Sequence, residues 1–147
     1  MSKTLTLIRH GQSTFNAWGS QERDCPLTET GAVSCKNISG AYDLVICSPL
    51  RRAQQTLVKS MLSYSEVLFT ELCREIKAGN PTDYYIDEKL ENETPEQIQT
   101  RITAFKDLVK ELQKKHEKIA IISHSTFLWH FSGSGFHNAE MRDYKLI

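Results

Sequence analysis

The chain has 147 residues, of which 39% are hydrophobic and 24% charged, and its 18 basic residues balance its 18 acidic ones. This length suffices for one domain with a hydrophobic core and is too short for two ordinary ones, so residues 1–147 are predicted to form a single domain. The balanced charge excludes a general attraction to nucleic acid or to an anionic membrane, and we expect neither as a partner. An anion-binding site would therefore have to be local.

The first residues and the cysteines show no targeting segment, zinc site or disulfide scaffold. Only a few apolar residues precede Arg9, far short of a signal-peptide core or a membrane span, so we expect a cytoplasmic protein. The four cysteines form no CxxC pair, and their thiols are expected to be free.

Four short apolar runs predict β-strands. Near-continuous runs of this kind, without polar alternation, are typical of strands that are covered on both faces. The runs are residues 5–8, 43–47, 66–70 and 118–123.

Helical segments are predicted between these strands. One spans residues 28–39, and a second spans residues 48–63, with Ser48 as N-cap and Pro49 as the first helical residue. The clearest helix begins at Thr94, because a glutamine three positions later completes a capping box. Apolar residues then recur at helical spacing and predict one buried face.

The alternation of strands and helices predicts an α/β fold, a three-layer α/β/α sandwich with a mostly parallel central sheet. Residues 78–93 lack either periodicity and are predicted to be irregular, forming a small cover. In open sheets of this kind ligands bind beyond the carboxyl ends of the strands. The functional residues should therefore directly follow the strands.

Two arginines at predicted strand ends indicate a site for phosphate. Arg9 follows the first strand and Arg52 follows the second, and their planar guanidinium groups match phosphate oxygens. The turn after the first strand supplies further backbone and side-chain donors from Gly11, Ser13 and Asn16. Together these residues predict a phosphate clamp.

Two histidines and a glutamate add chemistry to this clamp. His10 lies beside the arginines, whose charges disfavour the imidazolium form, so a neutral His10 would attack phosphorus and carry it as phosphohistidine. His124, after the last strand, would donate to the equatorial oxygens. Glu75 would protonate the leaving oxygen and then activate water. This scheme requires no metal and no other cofactor.

Four segments in this order resemble the histidine phosphatase superfamily, which includes the cofactor-dependent phosphoglycerate mutases. They read LIRHGQSTFN at residues 7–16, PLTETG at residues 26–31, SPLRRA at residues 48–53 and IISH at residues 121–124. The resemblance implies a phosphoglycerate mutase-like fold and a histidine acid-type phosphatase. It implies His10 as the phosphorylated nucleophile. It also implies a phosphate pocket formed by Arg9, Ser13, Asn16, Arg52 and His124.

The proton donor departs from the family pattern. The family's acid has a leucine two residues before it and a glycine four residues after it. Around Glu75 the glycine is present as Gly79, but Cys73 stands at the leucine position. Glu71 is therefore a competing candidate, and Asp83 is a third.

Two further departures bear on activity. Ser125 stands where the family commonly has glycine; a positive φ would strain it, but its N–H remains available to phosphate. Glu75 and His124 are only 49 residues apart, whereas the family's mutases carry a longer insertion that closes over substrate. A shorter cover admits water, so we expect a phosphatase acting on a small phosphorylated metabolite or a phosphoprotein.

The alternatives are a mutase-like phosphotransferase and a catalytically lapsed phospho-ligand-binding module. The sequence does not indicate an oligomeric state.

Overall fold

Strands and helices alternate along residues 3–146, the part of the chain that the computed structural model describes. The strands are β1 (Thr4–Arg9), β2 (Ser39–Cys47), β3 (Met61–Phe69), β4 (Ile119–Ser123) and β5 (Met141–Lys145). The helices are α1 (Thr14–Trp18), α2 (Glu29–Ser34), α3 (Arg51–Lys59), α4 (Pro95–Gln113) and α5 (Ser125–Ser132). Within residues 3–146, no helix combines the length and the apolar character needed to cross a membrane.

The five strands form one sheet in the order β3-β2-β4-β1-β5. All neighbouring pairs are parallel except β1 and β5, which are antiparallel. The register between β1 and β4 pairs Arg9 with Ser123. His10 and His124 therefore leave the sheet side by side at its carboxyl edge.

Helices cover both faces of the sheet, which confirms the predicted α/β fold with its mostly parallel sheet. On one face, α4 and α5 pack their aromatic residues against the strands; this cluster includes Leu7, Ile121, Phe105, Phe127 and Phe131. On the other face lie α2, α3 and the short 3₁₀ turn after α2; this cluster includes Ile8, Ile122, Cys35, Ala53 and Leu57. All four cysteines are buried free thiols, as predicted.

The two outer strands differ from the prediction. The run in β3 was expected to be covered on both faces, but β3 is an edge strand whose residues are mostly exposed, Met61 and Phe69 among them. β5 was not predicted, because its sequence MRDYK has no apolar run. It becomes a strand by antiparallel pairing with β1.

Ser48 does not cap α3, which begins at Arg51 instead of Pro49. The Ser48 hydroxyl accepts the backbone N–H of Leu50 and contacts His124, so it holds the turn that precedes the helix. The capping box predicted for α4 is present, with Thr94 accepting from the Gln97 N–H and Gln97 accepting from the Thr94 N–H.

Residues 78–93 are irregular, as predicted, apart from a 3₁₀ turn at Pro81–Asp83. Buried Tyr84 fixes this segment: its hydroxyl accepts from the Gly79 N–H and donates to the Glu91 carbonyl. We call residues 78–93 the cover, because several of them line the site described next.

Candidate active site

A cavity of about 290 Å³ opens at the carboxyl edge of the sheet. Seven of the nine residues predicted for the site line it: Arg9, His10, Ser13, Asn16, Arg52, Glu75 and Ser125. The other two, Gly11 and His124, are buried behind the lining. The fold thus gathers residues that are more than a hundred positions apart in the chain.

His10 is held in one orientation by the backbone that follows it. Its Nδ1 lies 2.6 Å from the carbonyl oxygen of Gly11. Because a carbonyl only accepts, we assign the ring hydrogen to Nδ1, which leaves a lone pair on Nε2. The Arg52 Nε donates towards this Nε2 at 3.4 Å. Burial, and secondly the Arg52 charge, hold the pKa of His10 well below its usual value, so the ring is neutral.

Gly11 supports His10 from behind instead of facing the cavity. Its N–H donates to the Thr56 hydroxyl at 3.0 Å, so this donor is already used. A Cβ at this position would lie 2.7 Å from the Gly31 carbonyl oxygen, too close for any side chain. Glycine is therefore required here for close packing against α2.

The two arginines reach the cavity with different partners. Arg9 donates from Nη1 to the Phe136 carbonyl at 2.8 Å, while its buried Nε finds no partner among residues 3–146. Burial lowers the pKa of Arg9, although the guanidinium stays charged. Arg52 donates to the Thr82 carbonyl at 2.9 Å and to the Asp83 carboxylate at 2.7 Å.

Ser13 and Asn16 form the capped start of α1. The Asn16 Oδ1 accepts from the Ser13 N–H at 3.0 Å, from the Ser13 hydroxyl at 2.9 Å and from the Asn138 amide at 3.1 Å. Three donors on one oxygen fix the amide plane, which leaves the Asn16 NH₂ as the end that can donate to a bound ligand. Sequence reasoning missed Asn138, because it lies in a loop without a motif.

His124 stands directly behind His10, with ring centroids 5.0 Å apart. Its Nε2 lies 2.8 Å from the Ser48 hydroxyl, and its buried Nδ1 has no partner among the described residues. Burial, with a smaller contribution from Arg52, holds the pKa of His124 well below its usual value. The ring is therefore a neutral group that lies against the His10 ring.

Of the three candidate acids, Glu75 and Asp83 line the cavity and Glu71 does not. Glu75 accepts from the backbone N–H groups of Ile76, Thr126 and Phe127, at 2.9, 3.1 and 2.8 Å, which seats its carboxylate at the first turn of α5. Glu71 is exposed and bonds Arg74 and the Tyr85 hydroxyl. Burial raises the pKa of Asp83 to about 6, against the opposing effect of Arg52.

Ser125 occupies the first helical position of α5, directly after His124 at the N-cap. The positive φ considered for this position does not occur: among the described residues only Asp24 and Ala139 combine a side chain with positive φ. Serine is therefore accommodated without backbone strain.

Two arginines that no motif marks, Arg74 and the half-buried Arg101, hold the site together. Arg74 donates to the Asp83 carbonyl at 2.8 Å and pairs with Glu88, which fixes the cover. Arg101, on α4, pairs with Glu93 and donates to the carbonyls that flank Glu75: Leu72 at 2.9 Å, Arg74 at 2.7 Å and Glu75 at 3.3 Å.

The model of the histidine phosphatase superfamily (branch 1) matches residues 5–91. This match spans more than half of the chain, and the chain belongs to this superfamily. The matched segment includes Arg9, His10, Arg52 and Glu75, whereas His124 lies beyond it. A comparison with curated protein sequences finds no match.

Solved structures share the fold over nearly the whole chain. The product of open reading frame Rv3214 from Mycobacterium tuberculosis superposes with a TM-score of 0.73 at 20% identity, over 96% of this chain and 90% of that one. A phosphoserine phosphatase from Entamoeba histolytica gives 0.70 at 21%, over 96% and 89%. A putative α-ribazole-5′-phosphate phosphatase from Escherichia coli gives 0.68 at 23%, over 89% and 78%.

Proposed function

We propose that the protein is a metal-independent phosphatase that hydrolyses a phosphomonoester through a phosphohistidine at His10. The observation that carries this proposal is the state of the His10 ring. Its Nδ1 donates to the Gly11 carbonyl, and its Nε2, which carries the lone pair and has only a long 3.4 Å contact from Arg52, lies at the wall of the cavity. A neutral, oriented imidazole beside two guanidinium groups is the arrangement that in-line attack on a phosphoryl group requires.

The reaction has two steps. In the first, the Nε2 lone pair of His10 bonds to phosphorus as the ester P–O bond breaks, and the Glu75 carboxyl gives its proton to the leaving oxygen. In the second, the same carboxylate takes a proton from water as the water oxygen bonds to phosphorus and the P–N bond breaks. Arg9 and Arg52 stabilise the charge on the phosphoryl oxygens. Free His10, inorganic phosphate and the protonated acid result.

A small phosphorylated molecule is the substrate that the cavity favours. Its volume of about 290 Å³ accommodates a phosphoryl group and a modest leaving group. The structural neighbours include phosphatases described for phosphoserine, α-ribazole 5′-phosphate and glucosyl-3-phosphoglycerate. The short cover leaves water access to the phosphohistidine, which supports hydrolysis over mutase-like transfer.

The decisive experiment combines phosphate release with trapping of the intermediate. Wild-type protein is expected to release phosphate from an aryl phosphate and to form an acid-labile, base-stable phosphoryl adduct during turnover. His10→Ala should lose both, whereas His137→Ala, at an exposed histidine, should keep both. Full activity of His10→Ala would refute the mechanism. Phosphate binding without release would favour a lapsed module, and transfer to an added alcohol without release would favour a phosphotransferase.

The position of Glu75 predicts a dependence on the leaving group. Glu75→Gln should slow esters with poor leaving groups by about 100-fold and activated aryl esters much less, because only poor leaving groups need the proton. Glu71→Gln is the matched control, since Glu71 lies outside the cavity lining. If Glu71→Gln shows the selective loss and Glu75→Gln does not, the assignment of Glu75 is wrong.

A further inference from the structure

The cavity of the proposed active site is lined by two cationic side chains and two carboxyl groups. Arg9 and Arg52 contribute two positive charges, Asp83 contributes one negative charge, and Glu75 carries the proton that it gives to the leaving oxygen. The His10 ring is neutral, because burial lowers its pKa. A phosphoryl dianion that enters this cavity therefore creates a surplus of negative charge.

Asp83 is built into the phosphate clamp. Its carboxylate lies 2.7 Å from Arg52 Nη2, and the side chains of Arg52 and Asp83 are only 5% and 11% exposed. The Thr82 carbonyl accepts a hydrogen bond from the other terminal nitrogen of Arg52, Nη1. The peptide that carries Asp83 is itself fixed, since Arg74 donates to the Asp83 carbonyl at 2.8 Å. The carboxylate is thus a stationary negative charge in the binding cavity.

Three cations near the cavity are paired with carboxylates. Arg74 pairs with Glu88 and Glu71, and Lys77 pairs with Glu88 as well. The neighbour of Arg52 on α3, Arg51, pairs with Glu22. A second anionic group on a substrate would therefore meet Asp83 while the adjacent cations are already neutralised.

We infer that the substrate is a phosphomonoester whose remainder carries no negative charge, and that Asp83 is the residue that enforces this selection. The inference rests on the proposed function and narrows its substrate class. A substrate whose carboxylate lies about 6 Å from Asp83 in a partly desolvated cavity is expected to bind roughly tenfold or more weakly than the same substrate without that charge. Hydroxylated and amino-substituted phosphate esters escape this repulsion.

The test compares substrates in which a hydroxymethyl group replaces the carboxylate. Glycerol 3-phosphate is paired with 3-phosphoglycerate, and 2-hydroxyethyl phosphate with phosphoglycolate, and kcat/KM is measured at pH 7.5. Wild-type protein should favour the first member of each pair by at least tenfold. Asp83→Asn should reduce this ratio at least fivefold, whereas Asp87→Asn, at an exposed carboxyl of the same cover, should leave it unchanged.

Calorimetric binding of the same four compounds to His10→Ala separates this inference from the proposed function. If His10→Ala binds 3-phosphoglycerate as tightly as glycerol 3-phosphate, the inference is overturned even when wild-type protein is an active phosphatase. If wild-type protein releases no phosphate from the aryl phosphate while the binding preference holds, only the proposed function fails. Should Asp83→Asn not fold, Asp83→Ser is measured in its place; an unchanged preference in the folded variant overturns the role of Asp83.

Discussion

Each residue at the sheet edge acts through a partner that orients it. His10 depends on the Gly11 carbonyl, Asn16 depends on its three donors, and His124 depends on the Ser48 hydroxyl. Buried polar groups need such partners because an unpaired one costs more than a hydrogen bond gains. The chemistry of the site is therefore sensitive to residues that never touch substrate.

Ser48→Ala tests one of these supports. The change removes the hydroxyl from the buried His124 Nε2 and from the Leu50 N–H. We expect the free energy of unfolding to fall by about 1–3 kcal/mol, because two buried polar groups lose their partner. Urea unfolding measures this, with Ser134→Ala, at an exposed serine, as control. Equal stabilities of the two variants would contradict the assignment.

Asn138→Ala tests the orientation of the Asn16 amide. Loss of one of the three donors on Asn16 Oδ1 should let the amide rotate. The rotation should weaken the hydrogen bond that the proposed function expects Asn16 to donate to a bound phosphate. The Kd for inorganic phosphate should rise about fivefold, as expected for roughly 1 kcal/mol. Isothermal titration gives this Kd, and Asn92→Ala, at an exposed asparagine of the cover, should leave it unaltered.

Among the helices and strands, sequence patterns predicted correctly those features that depend on residues close together in the chain. The capping box located the start of α4 because its hydrogen bonds join residues three positions apart. β3 and β5 were misread or missed because exposure at a sheet edge and antiparallel pairing depend on distant strands. Likewise, sequence motifs predicted the site residues at the strand ends. No motif predicted the place of Asp83 in the cavity, because that place depends on the cover, which Arg74 holds through the Asp83 carbonyl.

The first turn of α4 provides a test at this scale. Thr94→Ala removes the hydroxyl that accepts the Gln97 N–H. The protein should lose about 1 kcal/mol of stability, the usual cost of an N-cap. Urea unfolding should show no comparable loss for Thr103→Ala, at an exposed position inside the same helix.

For the whole molecule, the two buried histidines couple stability to pH. The pKa values of His10 and His124 lie well below 6.5 in the folded protein, chiefly because of burial, so protons bind the unfolded chain preferentially as the pH falls. The free energy of unfolding should therefore decrease below pH 7, and the two histidines together contribute a slope of about 1.4 kcal/mol per pH unit at pH 6.5. Urea unfolding between pH 6 and 7.5 measures this slope.

His10→Asn isolates one of the two contributions. The slope at pH 6.5 should fall by about 0.7 kcal/mol per pH unit, because one proton-binding group has been removed. Asp83, whose pKa is raised to about 6, acts in the opposite direction: the stability that its protonation contributes is full below pH 3.8 and is lost as the pH rises through 6. An unchanged slope in His10→Asn would show that His10 titrates normally in the folded protein.

The position of β1 in the sheet also determines when the site assembles. β1 pairs with β4 and β5, so Leu5 finds its partners at Ile119 and Tyr144, whereas β2 and β3 pair after a short crossover. Contacts that close such long loops form slowly. On the ribosome, β1 is made before β4 and β5, the two strands that it pairs with. Until residues 119–145 have emerged, β1 is unpaired and the candidate site at its carboxyl end is not assembled.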